Sequence, residues 1–183
     1  QVQYFLKFYN LKTVGYIQLC NNPSSNFIYQ YFLKRIILKY IKNNIISKVY
    51  LDVFPDYEKN LDAFINDNFY EGFVFMFNYR CRSISKNFFY KILKSKKKAI
   101  IYSPFKKGEL LKNDKKNLID KDQITNYLRF FKTISNTIKY IVFGTKNLDR
   151  LKFIENNINT KNDFLIKDKF DEIIDTQKTF NNY

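Results

Sequence analysis

Histidine and tryptophan are both absent from this chain of 183 residues. Without histidine, the side chain most often used as a general base and metal ligand near neutral pH is missing. The two cysteines, Cys20 and Cys81, make neither a disulfide framework nor a metal site. Alanine occurs only at Ala63 and Ala99, and arginine only at Arg35, Arg80, Arg82, Arg129 and Arg150. No apolar run approaches the roughly 18–20 residues that cross a membrane, and no signal peptide is visible, so no membrane partner and a cytoplasmic setting are expected. The sequence opens at Gln1 without a methionine, which reads as a chain cut from a longer one. No low-complexity linker divides it, and its length suits one domain, 1–183, with a real core.

The scarcity of arginine bears on the charge. Net charge is +15, from 32 basic and 17 acidic residues, and a balance of that size invites a nucleic-acid reading. Readers of phosphates and base edges favour the forked guanidinium, whereas here Lys, Asn, Ile, Phe and Tyr are raised together. That joint skew has the look of an AT-rich coding background with lysines on a solvated surface, and no nucleic-acid partner is expected. Apolar residues are abundant, at 45% of the chain with aromatics at 19%, so disorder is not the expectation.

Hydrophobic periodicity alternates between two kinds of segment. Tyr4, Phe5, Phe8 and Tyr9 fall at helical spacing, and Val14 to Cys20 reads as a strand. Asn26 to Lys42 is the clearest helix, with Phe27/Ile28, Tyr31/Phe32, Ile36/Ile37 and Tyr40/Ile41 in one stripe whose aromatics are expected to be core. A second strand spans Ile46 to Val53, and Leu61, Phe64 and Ile65 mark the helix after it. The run Phe73 to Phe77 suits a strand covered on both faces. Ser85 is placed to cap a helix through Phe88/Phe89 and Ile92/Leu93. Ala99 to Tyr102 is a fourth strand, followed by a helix from Asp122 to Ser135 with Ile124, Leu128 and Phe131 inward. Ile138 to Phe143 is a fifth strand, and Asn147 is placed to cap a helix from Leu148 to Asn156. A last amphipathic helix is expected over about Lys167 to Thr176, burying Phe170, Ile173 and Ile174.

Strand and helix in alternation, with short connections, predict an α/β protein with a parallel sheet or barrel. Ligands of such proteins bind where strand C-termini open into loops. The stretch Lys98 to Leu111 has that form: a buried strand stopped by Pro104, which has no N–H for the ladder, then a loop with Ser103, Lys106, Lys107 and Gly108. Residues 106–121 make the one long loop, of the kind that often covers a ligand.

Five segments, in order, carry a resemblance. Ile100-Ile101-Tyr102-Ser103-Pro104-Phe105-Lys106-Lys107-Gly108-Glu109-Leu110-Leu111 resembles the Tyr-Ser-Pro segment of aldo-keto reductases. Ile141 to Leu151, with Gly144-Thr145-Lys146-Asn147 at its centre, is similar to the same family's Pro-Gly-Thr segment. Ile46 to Pro55, Phe77-Asn78-Tyr79 and Gln18 to Pro23 fall where that family has three further landmarks. Together they span nearly the whole chain. The resemblance implies a parallel (β/α)8 barrel of TIM type, of which strands four to eight are present and the first three units are missing. A fragment of a longer polypeptide is therefore expected, with the missing barrel half supplied by the same or another chain.

The family's function comes with the resemblance only position by position. It implies NADPH-dependent reduction of a small carbonyl substrate, but the catalytic Asp, Tyr and Lys belong to the missing units, so no catalytic residue is assigned here. The family's active-site His falls at Cys20 or Asn21. Its Ser-Asn pair, which grips the nicotinamide carboxamide, falls at Asp52-Val53, and the Gln that shares that task falls at Val74. A carboxamide left without partners in a dry site costs on the order of 1–3 kcal/mol per lost hydrogen bond. Other positions are kept. Tyr102 stands where an aromatic stacks on the nicotinamide, although a tyrosine at a strand end also reads as packing. Ser103, Lys107 and Gly108 stand where a loop wraps the pyrophosphate. Gly144, Thr145, Lys146 and Asn147 precede a helix N-terminus, a natural phosphate site. Lys146 and Arg150 would meet a 2′-phosphate, or else form a solvated surface turn. The family's adenine-binding Asn falls at Ile154. Two expectations follow: an NADP-binding reductase domain inactive as it stands, or a silent relative serving as a nucleotide-sensing or scaffold module.

Overall fold

The computed structural model of the chain describes residues 2–20, 27–54, 60–78, 81–82, 84–105, 121–134, 136–159 and 178–179. In chain order the elements are α1 (Val2–Phe8), β1 (Val14–Leu19), α2 (Phe27–Lys42), β2 (Ile46–Asp52), α3 (Leu61–Asn66), β3 (Gly72–Met76), β4 (Cys81–Arg82), α4 (Lys86–Lys94), β5 (Lys98–Tyr102), α5 (Lys121–Thr133), β6 (Ile138–Val142), α6 (Leu148–Asn159) and β7 (Lys178–Thr179). The five strands expected from the sequence are β1, β2, β3, β5 and β6, and they form one parallel sheet in that order. Parallel neighbours need a crossover, and α2, α3, α4 and α5 supply it between successive strands. This is the α/β architecture of part of a (β/α)8 barrel. The helix expected over 167–176, the loop over 106–120 and Asn21 to Pro23 lie outside the described residues, as does Tyr79.

The chain forms two compact units, Gln1–Val74 and Phe75–Tyr183. In the first, β1 and β2 pair with Val14 opposite Ile46 and Leu19 opposite Leu51, and Tyr50 to Asp52 continue onto Gly72 to Val74. Ion pairs link Lys34 to Asp67 and Lys48 to Glu71 within it. Here the expectation that the α2 aromatics are core is overturned. Ile28, Tyr31, Phe32 and Ile36 are all more than half exposed, and Ile37 is the buried residue of the helix among those described. The helix is apolar on two sides, and the side turned inward holds Ile37, with Leu33, Tyr40 and Ile41 half-buried beside it. Periodicity identifies stripes but does not say which of two stripes meets the sheet.

The second unit is densely packed. Phe77 is fully buried, and its ring lies 4.9 Å from Phe89, 5.9 Å from Phe130 and Phe131, and 6.2 Å from Tyr127. The Tyr127 hydroxyl donates to the Phe77 carbonyl at 2.8 Å, so the buried phenol finds an acceptor. Leu128 and Phe131 of α5 face inward as expected, while the side chain of Ile124 is not among those described. Ser85 caps α4, its hydroxyl accepting from the Phe88 N–H at 3.1 Å. The pairing of β4 with β7, Cys81 opposite Lys178 and Arg82 opposite Thr179, went unread in the sequence because two residues carry no periodicity.

Candidate functional site

Two strand ends build the candidate site. Strand β5 is buried through Ala99, Ile100 and Ile101 because all three are apolar and the strand is covered on both faces. It pairs with β6 through Tyr102, opposite Val142, and both chains then leave the sheet together. Between them opens a cleft of about 850 Å³ lined by Ser103, Pro104 and Phe105 on one side and by Val142, Phe143, Gly144, Thr145, Lys146 and Asn147 on the other, with Arg150 and Ile154 from α6. Its floor is apolar: Phe105, Leu128 and Ile154 are buried together, and Phe105 meets Phe143 edge-on at 5.5 Å. Its rim carries two cations, Lys146 just before the Asn147 cap and Arg150 in the first turn of α6.

Ser103 sits at the mouth with φ of 54°, in the left-handed region that a residue with a Cβ enters at a cost of about 1–2 kcal/mol. Backbone held in this way is characteristic of sites where geometry matters more than local stability. Opposite, Gly144 has open space where a Cβ would stand, so packing does not demand a glycine there. Asn147 caps α6: its side-chain oxygen accepts from the Asp149 N–H at 2.9 Å and from the Arg150 N–H at 3.2 Å. The Asn147 N–H itself donates to the Thr145 hydroxyl at 3.1 Å. The cap expected from the sequence is thus present, and it occupies two of the amides that a phosphate would use. An anion at this helix end would have to be met mainly by the Lys146 and Arg150 side chains. Asp149, in the first turn, suits the helix dipole but opposes an anion.

Of the residues singled out in the sequence, Ser103, Gly144, Thr145, Lys146 and Arg150 come together around this cleft. Tyr102 ends β5 half-buried, its carbonyl accepting from the Phe77 N–H at 3.3 Å, and is not among the lining residues. Lys107 and Gly108 lie outside the described residues. Ile154, at the position of the adenine-binding Asn, is a core residue.

The first unit holds a polar cluster that sequence reasoning missed. Asp52, the last residue of β2, is 6% exposed. Its Oδ2 accepts from Gln18 Nε2 at 2.8 Å and from the Cys20 thiol at 3.4 Å, and its Oδ1 has no hydrogen-bond partner among the described residues. Register explains the meeting: Gln18 stands opposite Tyr50, so it shares a face with Asp52 two residues on. Burial pushes the Asp52 carboxyl above its usual range, against the opposing pull of hydrogen bonds from Gln18, Cys20 and the Val53 backbone. Partial burial, and then the Asp52 charge and hydrogen bond, hold the Cys20 thiol up as well, although Cys20 is an exposed residue overall. Beyond it, Val53 and Val74 are buried, and the Val53 N–H donates to the Val74 carbonyl at 2.8 Å. Among the described residues no cluster of His, Cys, Asp and Glu could hold a metal ion.

No protein-family model matches the chain, and no curated protein does. Solved structures do. Aldo-keto reductase AKR11C1 from Bacillus halodurans, in its apo form, is similar over 98% of this chain with a TM-score of 0.73 at 11% identity. The fold is that of the aldo-keto reductases. An aldo-keto reductase from Klebsiella pneumoniae in complex with NADPH is similar over 99% of this chain, with a TM-score of 0.69 at 8% identity. The silkworm enzyme, AKR2E5 of Bombyx mori, gives 0.63 at 12% identity over 98%. This chain spans 67%, 65% and 58% of those three structures respectively. The cleft lies at the C-terminal ends of β5 and β6, the side of the sheet on which parallel α/β proteins generally bind ligands. No described helix is long and apolar enough to cross a membrane.

Proposed function

We propose that this chain is the C-terminal part of an aldo-keto reductase barrel, a cytoplasmic NADPH-binding domain that keeps the phosphate half of the cofactor site and carries out no turnover by itself. The observation that carries the reading is the cleft where Ser103, Gly144, Thr145, Lys146 and Arg150 meet before α6. NADPH is the ligand of the similar Klebsiella pneumoniae structure. Two cations fit the dianionic 2′-phosphate that distinguishes NADPH from NADH, and Arg150 can meet it with two parallel donors. Lys107 and Gly108 are assigned to the pyrophosphate loop and Tyr102 to the nicotinamide face by the family resemblance. The substrate of a complete barrel would be a small aldehyde or ketone.

A second reading has its own support. Of the three positions that would grip the carboxamide, Asp52, Val53 and Val74, the two valines are buried and apolar, and hydrogen-bonded to each other through the backbone. Hydride transfer depends on holding the nicotinamide in place. A nucleotide-sensing or scaffold module needs no such grip.

NADPH titration by calorimetry separates the readings that bind nucleotide, the reductase part and the sensing module, from the scaffold. Micromolar binding, weaker for NADH and lost in Lys146→Ala/Arg150→Ala, is the expected result. Gly144→Ala should weaken binding by about tenfold while leaving stability unchanged or raised by up to about 1 kcal/mol, since no described residue stands within 4 Å of the added Cβ. Folded protein that binds no nucleotide would leave the scaffold reading standing. Oxidation of NADPH by the purified 183-residue chain with an aldehyde would refute the claim of no turnover. Binding that falls steeply with salt for any polyanion would point to nucleic acid instead.

A further inference from the structure

The cleft at the ends of β5 and β6 is chemically divided. Lys146 and Arg150 belong to its rim, and below them Phe105 and Ile154 are buried with Leu128 while Phe143 packs against all three. Arg150 and Ile154 both line the cleft and are four residues apart, so they share one side of α6. Four residues of helix rise about 6 Å, a distance that a ribose can bridge. A nucleotide whose phosphate met Arg150 would thus bring its base to Ile154 and to the edge-on pair of Phe105 and Phe143.

The polar groups beside that apolar floor are already engaged. The Thr145 hydroxyl accepts from the Asn147 N–H at 3.1 Å and donates to the Asn147 carbonyl at 3.4 Å. The side-chain oxygen of Asn147 takes the amides of Asp149 and Arg150. Lys146 and Arg150 donate but cannot accept. Ser103, the third neutral polar side chain among the described lining residues, stands on the opposite wall, before Pro104. Adenine and hypoxanthine present reversed patterns to such a wall: an amine donor beside an acceptor nitrogen in one, a carbonyl acceptor beside an N–H in the other. A pocket built to hydrogen-bond one pattern rejects the other strongly, because its own buried groups are left without partners. An apolar pocket has no such groups to strand, and it discriminates weakly.

We propose that this cleft holds a nucleotide by its phosphate and by apolar contact with its base, without reading the hydrogen-bonding edge, so that 2′-phosphorylated dinucleotides carrying adenine or hypoxanthine bind alike. The inference rests on the nucleotide reading above and adds the specificity of that site. Phe143 is the aromatic surface that the base meets, and Ile154 closes the floor beneath it. Calorimetric titration of the whole protein with NADPH, and with the same dinucleotide carrying hypoxanthine in place of adenine, tests this. The two dissociation constants should agree within about fivefold, where a site that reads the edge would separate them by about 10⁴-fold. Phe143→Ala should weaken both about tenfold, keep their ratio and leave the circular dichroism spectrum unchanged. The pair of titrations on the parent protein decides even where that variant does not fold. A preference above about fivefold for either base would overturn this inference alone, because nucleotide would still be bound. So would unchanged affinity in folded Phe143→Ala protein. Folded parent protein that bound neither dinucleotide would overturn the nucleotide reading and this inference with it.

Discussion

Asp52 places a carboxyl where its ionised form is poorly served, with two donors on one oxygen and none among the described residues on the other. Because its folded pKa is raised above the unfolded value of 3.8, the folded protein holds the proton more tightly than the unfolded chain. The contribution of that proton is full below pH 3.8 and is lost as pH rises through the folded pKa. Asp52→Asn should therefore gain stability relative to the parent as pH is raised from 3.8 to neutrality, read from urea unfolding at a series of pH values. A difference that stays constant with pH would show that the carboxyl titrates normally. The family resemblance put Cys20 and Asp52 at separate site positions, but their meeting with Gln18 was not legible beforehand. Gln18, Cys20 and Asp52 come from two strands, and only the β1–β2 register brings them to one point.

Helix termini were the most legible features, because residue type and spacing together specify a cap. Ser85 and Asn147 both accept the amide hydrogen bonds expected of them. Ser85→Ala should cost about 1 kcal/mol by denaturant titration. The strands were legible for a related reason: apolar runs of five to seven residues bounded by turn residues have few alternative fates. The orientation of α2 was not legible. A helix apolar on both sides gives one stripe by eye, and only the packed sheet shows that Ile37, not Phe32, is covered. For the cleft, the sequence placed Ser103, Gly144, Thr145, Lys146 and Arg150 at strand ends, and the fold gathers them. The strained Ser103 and the self-satisfied end of α6 depend on backbone geometry that residue types do not encode.

Burial across the molecule is uneven. The second unit packs Phe77, Phe89, Tyr127, Phe130 and Phe131 into one cluster, whereas the helices of the first leave much of their apolar surface in water. Phe77→Ala removes the ring at the centre of that cluster and should cost about 3–5 kcal/mol by denaturant titration. A loss below about 1 kcal/mol would mean that the cluster is loosely packed.

The same cluster gives the protein an internal reporter. With no tryptophan anywhere, its near-ultraviolet optical activity belongs to tyrosine and phenylalanine. Tyr127 is 1% exposed, held 4.7 Å from Phe131 at an interplanar angle of 72°, with its hydroxyl fixed to the Phe77 carbonyl. Tyr127, with the similarly buried Tyr50 and Tyr70, should dominate the dichroism of that band, because solvent-facing rings such as Tyr4, Tyr9 and Tyr31 rotate more freely. A loosened state that keeps its helices would lose this band while its far-ultraviolet spectrum persisted. One spectrum can thus separate a chain that is packed and declines nucleotide from one that never assembled its interior.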